Sequence, residues 1–159
     1  MPTTYEPITT QTLGTAIASV TFSSIPQTYT DLVVVINHSG AGDNFYFQLN
    51  SDTGSNYSDT GLVGNGTSAT SIRNNSQTRA IVGGSYTSNM GVSVINFMNY
   101  SNTTTNKTII SRNGTASNVT RLTNNLWRST AAISTIYFVL ATGNFAVGST
   151  FTLYGIKAA

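Results

Sequence analysis

The sequence contains no cysteine, which excludes disulfide staples, thiolate metal sites and thiol chemistry. It carries very little charge: seven Lys and Arg, five Asp and Glu and one His in 159 residues. The charged share is 8%, far below the quarter usual in a soluble domain, so few groups are on offer that titrate or coordinate. No apolar run approaches the roughly 20 residues of a membrane-spanning helix. The opening Met1-Pro2-Thr3-Thr4-Tyr5-Glu6 has neither the basic region nor the apolar run of a secretory signal. No segment of useful length repeats with a helical period. The seven cations (Arg73, Arg79, Lys107, Arg112, Arg121, Arg128 and Lys157) are dispersed rather than drawn into the basic stripe of a nucleic-acid binder. These absences predict a soluble protein made in a cytoplasm, with neither nucleic acid nor membrane as partner.

What fills the space is Thr, Ser and Asn, together about two-fifths of the chain. Such a surface is hydrated by neutral hydroxyls and amides, and its contacts have little charge for salt to screen. Hydrophobic residues make up 39%, a globular share. A chain of this length buries roughly 70% of its unfolded surface and can hold a core without staples. Residues 13–159 are expected to form one domain, and the polar, Pro-bearing residues 1–12 an extended arm that adds to a neighbour's surface.

The patterning is that of strands. The clearest stretch runs from Trp127 to Ile156. In it Ala132–Leu140 and Ser149–Ile156 both alternate with period two and are rich in β-branched and aromatic types, while Thr142-Gly143-Asn144 and Val147-Gly148 supply turn chemistry between them. This pair is expected at the sheet centre, its first strand covered on both faces. Leu32 to Ile36 is a short continuous apolar run, read as a buried strand. Alternation also marks Ala16–Phe22, Asn44–Asn50 with Phe45, Phe47 and Leu49 inward, Gly91–Tyr100 and Thr105–Asn113, and Asn118–Leu122 reads as a short strand or edge. Residues 51–78, dense in Ser, Thr, Asn and Gly, are too long for a structureless loop and predict a short strand near Ala69–Arg73. The whole predicts an all-β fold, an antiparallel, jelly-roll-like β-sandwich of about eight to ten strands.

Chemistry is hard to place. His38 follows the buried strand, and Asp43, across a Gly-bearing turn, is the nearest group to orient it as a base. Glu6, Asp31, Asp43, Asp52 and Asp59 select no catalytic pair, and no nucleophile-elbow, zinc or phosphate-loop motif is present. Asn50–Asp59 has oxygen ligands of the sort that wrap Ca²⁺ but lacks the closing Glu of an EF-hand. Nine Asn-x-Ser/Thr sequons follow from the composition. The expectation is a protein that is no enzyme and uses no cofactor or metal. The aromatics are the remaining handle. Tyr46, Tyr57, Tyr86 and Tyr100, taken as exposed, are candidate sugar-stacking residues, and Trp127-Arg128 is a candidate interface pair.

Several phrases are similar to those of small virion structural proteins of tailed bacteriophages, of the kind found in phages of cyanobacteria. They are Ile25-Pro26-Gln27-Thr28-Tyr29-Thr30-Asp31-Leu32-Val33, the run FQLNSDTGSNYS ending at Ser58, Asn99-Tyr100-Ser101-Asn102-Thr103-Thr104, Trp127-Arg128-Ser129-Thr130-Ala131-Ala132-Ile133, and Gly148-Ser149-Thr150-Phe151-Thr152-Leu153-Tyr154-Gly155-Ile156. The resemblance implies a β-rich domain in a symmetric assembly, on the capsid or in a tail fibre, and transfers no catalytic residue. A short chain without repeats or coiled coil suits a capsid decoration (cement) protein better than a complete fibre. The expected partners are further copies of itself, as a homotrimer, and the major capsid protein or other virion proteins, with Tyr5, Ile8 and Leu13 of the arm and Trp127 and Arg128 as anchors. The alternative is a tail-fibre or receptor-binding module that recognises host glycans through its tyrosines. The expected location is the virion.

Overall fold

The computed structural model describes residues 4–40, 42–86, 90–116 and 119–157, with the backbone alone at 42, 43, 85 and 86. Twelve strands follow in order: β1 Tyr5–Thr12, β2 Ser19–Phe22, β3 Asp31–His38, β4 Gly42–Leu49, β5 Tyr57–Gly64, β6 Ala69–Gln77, β7 Ala80–Tyr86, β8 Gly91–Phe97, β9 Lys107–Thr115, β10 Thr120–Trp127, β11 Ile136–Leu140 and β12 Thr150–Ile156. No helix occurs among the described residues. The larger sheet has the order β1-β12-β3-β8-β9-β10-β5-β6 and the smaller β2-β11-β4-β7, every neighbouring pair antiparallel.

With β5, β6, β9 and β10 set aside, the other eight strands fall into two four-stranded orders, β1-β12-β3-β8 and β2-β11-β4-β7. The chain crosses from one sheet to the other at each step except from β4 to β7, which share the smaller sheet. This is the wrapping of a jelly roll. Two hairpins are inserted into it, β5–β6 between β4 and β7 and β9–β10 between β8 and β11, and both extend the larger sheet beyond β8. The protein is thus an all-β antiparallel sandwich with one sheet twice the width of the other.

The core lies where the sheets overlap. Phe45 and Phe47 of β4, Phe138 of β11, Phe151 of β12, Phe97 of β8 and the loop residue Phe145 are buried there. Their rings meet edge-on or tilted, Phe145–Phe151 at 5.1 Å and Phe47–Phe97 at 5.4 Å, the geometry that the ring quadrupole favours. The two C-terminal strands do not pair with each other. Each is interior to its own sheet, β11 between β2 and β4 and β12 between β1 and β3, and they face across the core through Phe138 and Phe151 at 5.9 Å. Residues 141–149 carry the chain over that gap instead of closing a hairpin. Strand β11 is also shorter than its alternation suggests, and its outward Tyr137 and Val139 are half-buried rather than covered.

The segment expected to be an arm is strand β1. It adds to its own chain, with Tyr5 opposite Ile156 and Thr12 opposite Thr150, and Lys157 locks it further by an ion pair to Glu6 at 2.8 Å. Leu13 is buried and Ile8 packs against the core, so neither is held out for a neighbour, while Tyr5 remains exposed.

Under the extension the inner face turns polar, with Ser93, Ser111, Asn113, Arg121, Thr123, Asn125 and Asp59 all buried. These groups are drawn into hydrogen bonds with β7 and with one another. Asn125 bonds both the N–H and the C=O of Ile81, Ser111 donates to the Val82 carbonyl, Asn113 to Ser93, and Arg121 Nε to Thr123. Buried polar groups are stable only when partnered in this way.

Candidate functional site: the outer face of the extended sheet

The groups that the sequence offers for chemistry are occupied by the fold. His38 ends β3 and is fully buried, its ring edge-on to Phe45 at 4.9 Å and to Phe145 at 5.7 Å. Burial pushes its pKa down to about 4, so it is neutral near pH 7. It is a core residue rather than a turn residue, and the side chain of Asp43 lies outside the described residues. Asp52 accepts the Trp127 indole N–H at 2.7 Å, the Asn56 amide at 2.9 Å and the Gly54 N–H at 2.8 Å. Partial burial pushes the Asp52 carboxyl up, and these three donors outweigh it, leaving the pKa below the ordinary value. Asp59 pairs with Arg121 at 3.6 Å and accepts from Asn74 at 3.0 Å, and Asp31 accepts the Asn99 N–H. Lys107 is buried, and its ammonium donates to the carbonyls of Asn102, Thr105 and Thr130; burial lowers its pKa.

The candidate Ca²⁺ segment is pulled apart by these contacts. Asn50 accepts the N–H groups of Ser134 and Thr135, Asp52 turns to Trp127, and Asp59 turns to Arg121. Among the described residues no three His, Cys, Asp or Glu side chains gather as a metal site would need.

The aromatic candidates divide sharply. Trp127 is 2% exposed, and Tyr57 and Tyr100 are 0% exposed. Tyr57 stacks on Trp127 at 6.4 Å and its hydroxyl bonds the Leu49 backbone, while the Tyr100 hydroxyl donates to the Pro26 carbonyl. Burial pushes both phenols up in pKa. None of these three has a ring face open to a sugar or a partner, which corrects the expectation that they are exposed. Tyr46 lies half-buried on the outer face of the smaller sheet, with the Arg79 guanidinium 4.0 Å above its ring. The Tyr86 side chain lies outside the described residues. The pair Trp127-Arg128 is split by the strand pleat, which sends the indole inward and leaves Arg128 exposed.

The exposed apolar residues sit elsewhere. Cross-strand register places Val35, Val94, Arg112, Leu122, Leu62 and Ser71 in one row over the outer face of the larger sheet. The next row is Val33, Asn96, Ile110, Asn124, Thr60 and Arg73. Leu62 is 62% exposed, Leu122 and Val92 47%, and Ile110 40%, values at which a large aliphatic side chain is effectively in solvent. Two cavities of about 600 and 570 Å³ meet on this face at Thr120, the second lined by Leu62, Leu122 and Arg112. A smaller one of about 210 Å³ lies between Thr60, Arg73, Asn124, Leu126 and Arg128. Among the described residues no second layer covers the face, because the smaller sheet packs on the opposite side. Exposed apolar patches of this kind mark interaction surfaces. Sequence reasoning missed Leu62, Ile110 and Leu122, since alternation reveals two faces and does not say which one points in.

No family model matches the chain, and a comparison with curated proteins returns no match. Among solved structures, exo-inulinase from Aspergillus awamori aligns with a TM-score of 0.47 at 14% identity, over 96% of this chain and 29% of that one. The chain therefore spans less than a third of the inulinase. The marine PL-14 alginate lyase from Aplysia kurodai aligns at 0.36 with 7% identity, over 83% of this chain and 70% of that one. A double mutant of alginate lyase Aly36B, in complex with an alginate tetrasaccharide, aligns at 0.32 with 7% identity, over 94% and 80%.

Proposed function

We propose that this chain is a structural protein of a tailed-bacteriophage particle, a capsid decoration protein that is no enzyme and works by assembly, with itself as a homotrimer and with the major capsid protein. The carrying observation is the outer face of the extension β9-β10-β5-β6, a surface left uncovered by the described residues and studded with Leu62, Ile110 and Leu122. The phrase-level resemblance to phage virion proteins supports the same reading. The face offers broad, open depressions rather than an enclosed cleft, which suits adhesion to another surface. Binding at several symmetry-related copies raises effective affinity where each contact is weak. Of the arm residues, Ile8 and Leu13 drop out as anchors because they pack against this chain's own core, while Tyr5 stays exposed at the start of β1. The glycan-binding alternative retains Tyr46 alone among the described tyrosines named for it, with one ring face already taken by Arg79.

Quantitative mass spectrometry of purified particles tests the reading. Hundreds of copies per particle are expected. A handful, in step with tail symmetry, would move the chain to the tail, and its absence from mature particles would end the proposal. Light scattering of the isolated protein tests the trimer.

A further inference from the structure

We propose that the outer face of β9-β10-β5-β6 docks an acidic, apolar-studded protein surface, and that the partner is not a second copy of this chain. The inference deepens the decoration reading and rests on it for the identity of the partner. It is carried by where the charges go. Among the described residues every carboxylate with a described side chain is engaged inside the fold: Glu6 by Lys157, Asp31 by the Asn99 N–H, Asp52 by Trp127 and Asn56, and Asp59 by Arg121 and Asn74. Of the cations, Lys107 is held by three carbonyls, Arg79 lies on Tyr46, and Arg121 and Lys157 are paired. The three that remain are Arg73, Arg112 and Arg128, whose guanidinium groups have no partner among the described residues. All three emerge on the same outer face, beside Leu62, Leu122, Ile110 and Leu126.

This arrangement selects a partner. Two copies set face to face would bring arginines against arginines, with no free carboxylate among the described side chains of either to compensate, and like charges in an interface cost affinity. A partner with Asp and Glu among apolar groups satisfies both halves of the surface, since Arg is the cation best suited to bidentate pairing with carboxylates. A nucleic acid fits poorly: duplex DNA carries a charge about every 1.7 Å of axis, whereas Arg112 and Arg73 are three strands apart, roughly 14 Å at ordinary strand spacing. A polysaccharide would want aromatic faces, and the side chains beside the arginines are aliphatic. Composition alone implied contacts indifferent to salt; collecting the free cations on one face makes this face the exception.

Size explains why assembly is needed. Four strands of about seven residues present roughly 400 Å² of flat face, about half of the 800 Å² per partner in a stable interface. One copy binds weakly, and several held in register bind well.

The test uses the full chain. Arg73→Glu, Arg112→Glu and Arg128→Glu are combined, and Arg79→Glu, on the opposite sheet, is the control; circular dichroism verifies folding. The probes are particles stripped of this protein and, independently, a random glutamate–tyrosine copolymer, with heparin and duplex DNA alongside. The wild type should rebind particles, the triple variant at least tenfold more weakly, and the control unchanged. Wild-type binding should also weaken as salt rises to about 0.5 M, where screening reaches within a few ångströms. Equal binding by the triple variant overturns the proposal. Failure of the wild type to bind particles counts against the virion reading, and the copolymer then decides the face. Copolymer binding lost in the triple variant upholds it. No copolymer binding, binding kept by the triple variant, or preference for heparin or DNA overturns it. A changed oligomeric state of the triple variant without any partner would reassign the face to self-contact and overturn it as well.

Discussion

Asn125 stands beside Ile81 as a further strand would: its Nδ2 donates to the Ile81 carbonyl at 3.0 Å and its Oδ1 accepts the Ile81 N–H at 3.1 Å. Strand β7 is the edge of the smaller sheet, and its free side abuts the inner face of β10. The amide thus ends the narrow sheet while the wide one continues. Replacing Asn125 with Leu leaves two buried backbone groups without partners, at about 1–3 kcal/mol each. The expected loss is about 2–5 kcal/mol, read from the urea midpoint of unfolding. A loss under about 0.5 kcal/mol would show that the edge is held by packing and not by this amide.

The indole of Trp127 and the carboxylate of Asp52 join β10 to the loop after β4 through a 2.7 Å hydrogen bond. Removing a charged acceptor from a buried donor costs about 1.5–3 kcal/mol. Asp52→Ala should therefore lower stability by that order, and Asp52→Asn, which keeps an acceptor, by less. Trp127 is the single tryptophan of the chain, so its emission reports the change without interference. It should be blue-shifted in the native protein and move to the red in Asp52→Ala. Equal stability of the Ala and Asn variants would argue that the loop is held by Asn50 instead.

Much of the sandwich is legible in the sequence. The alternation of Phe45, Phe47 and Leu49 names the inward face of β4, and the run Leu32–Ile36 names an interior strand. All-β, antiparallel character follows from short strands with turn signals and no helical period, whereas the jelly-roll wrapping lies in the connectivity, which alternation does not encode. What could not be read has physical causes. Strand β5 carries Asp59 and Gly61 inward and Leu62 outward, the reverse of a hydrophobic-in pattern, so its alternation has no apolar side to register. Strand β6 contains the strand expected near Ala69–Arg73, an expectation that came from the length of the segment; it runs on to Gln77, is exposed along nearly its whole length and owes its place to pairing with β5 more than to its own residues. The burial of Trp127 is set by Asp52, distant in sequence. The proposed docking face is least legible of all, since it depends on Arg73 of β6, Arg112 of β9 and Arg128 just after β10 meeting on one side.

Gly155 and Tyr29 make a close fit. The Tyr29 ring lies against the Gly155 backbone where a Cβ would stand, and its hydroxyl donates to Glu6. Gly155→Ala should force the ring aside and cost about 1–3 kcal/mol, the usual price of overpacking. In a Tyr29→Ala background the same substitution should cost little, because the three atoms nearest the added Cβ all belong to that ring. Thermal unfolding of the four proteins measures the coupling, and additive effects would place the strain elsewhere.

His38 gives the protein an acid sensitivity that its few carboxylates do not explain. Burial among Phe45 and Phe145 lowers its pKa from 6.5 to about 4 in the folded state. Between those values the unfolded chain takes up a proton that the folded chain refuses, so stability must fall as pH falls. The contribution is fully present above about pH 6.5, declines from there to about pH 4, and amounts to roughly 3 kcal/mol over the whole interval. Glu6 and Asp52 have lowered carboxyl values and enter only at the acid end. The window from pH 6.5 to 4.5 therefore belongs to the histidine. Urea unfolding across that window should show stability decreasing in the wild type and nearly constant in His38→Phe, whatever the variant's absolute stability. The same slope in both would mean that the imidazole is protonated inside the folded core, and that its aromatic neighbours do not exclude the charge.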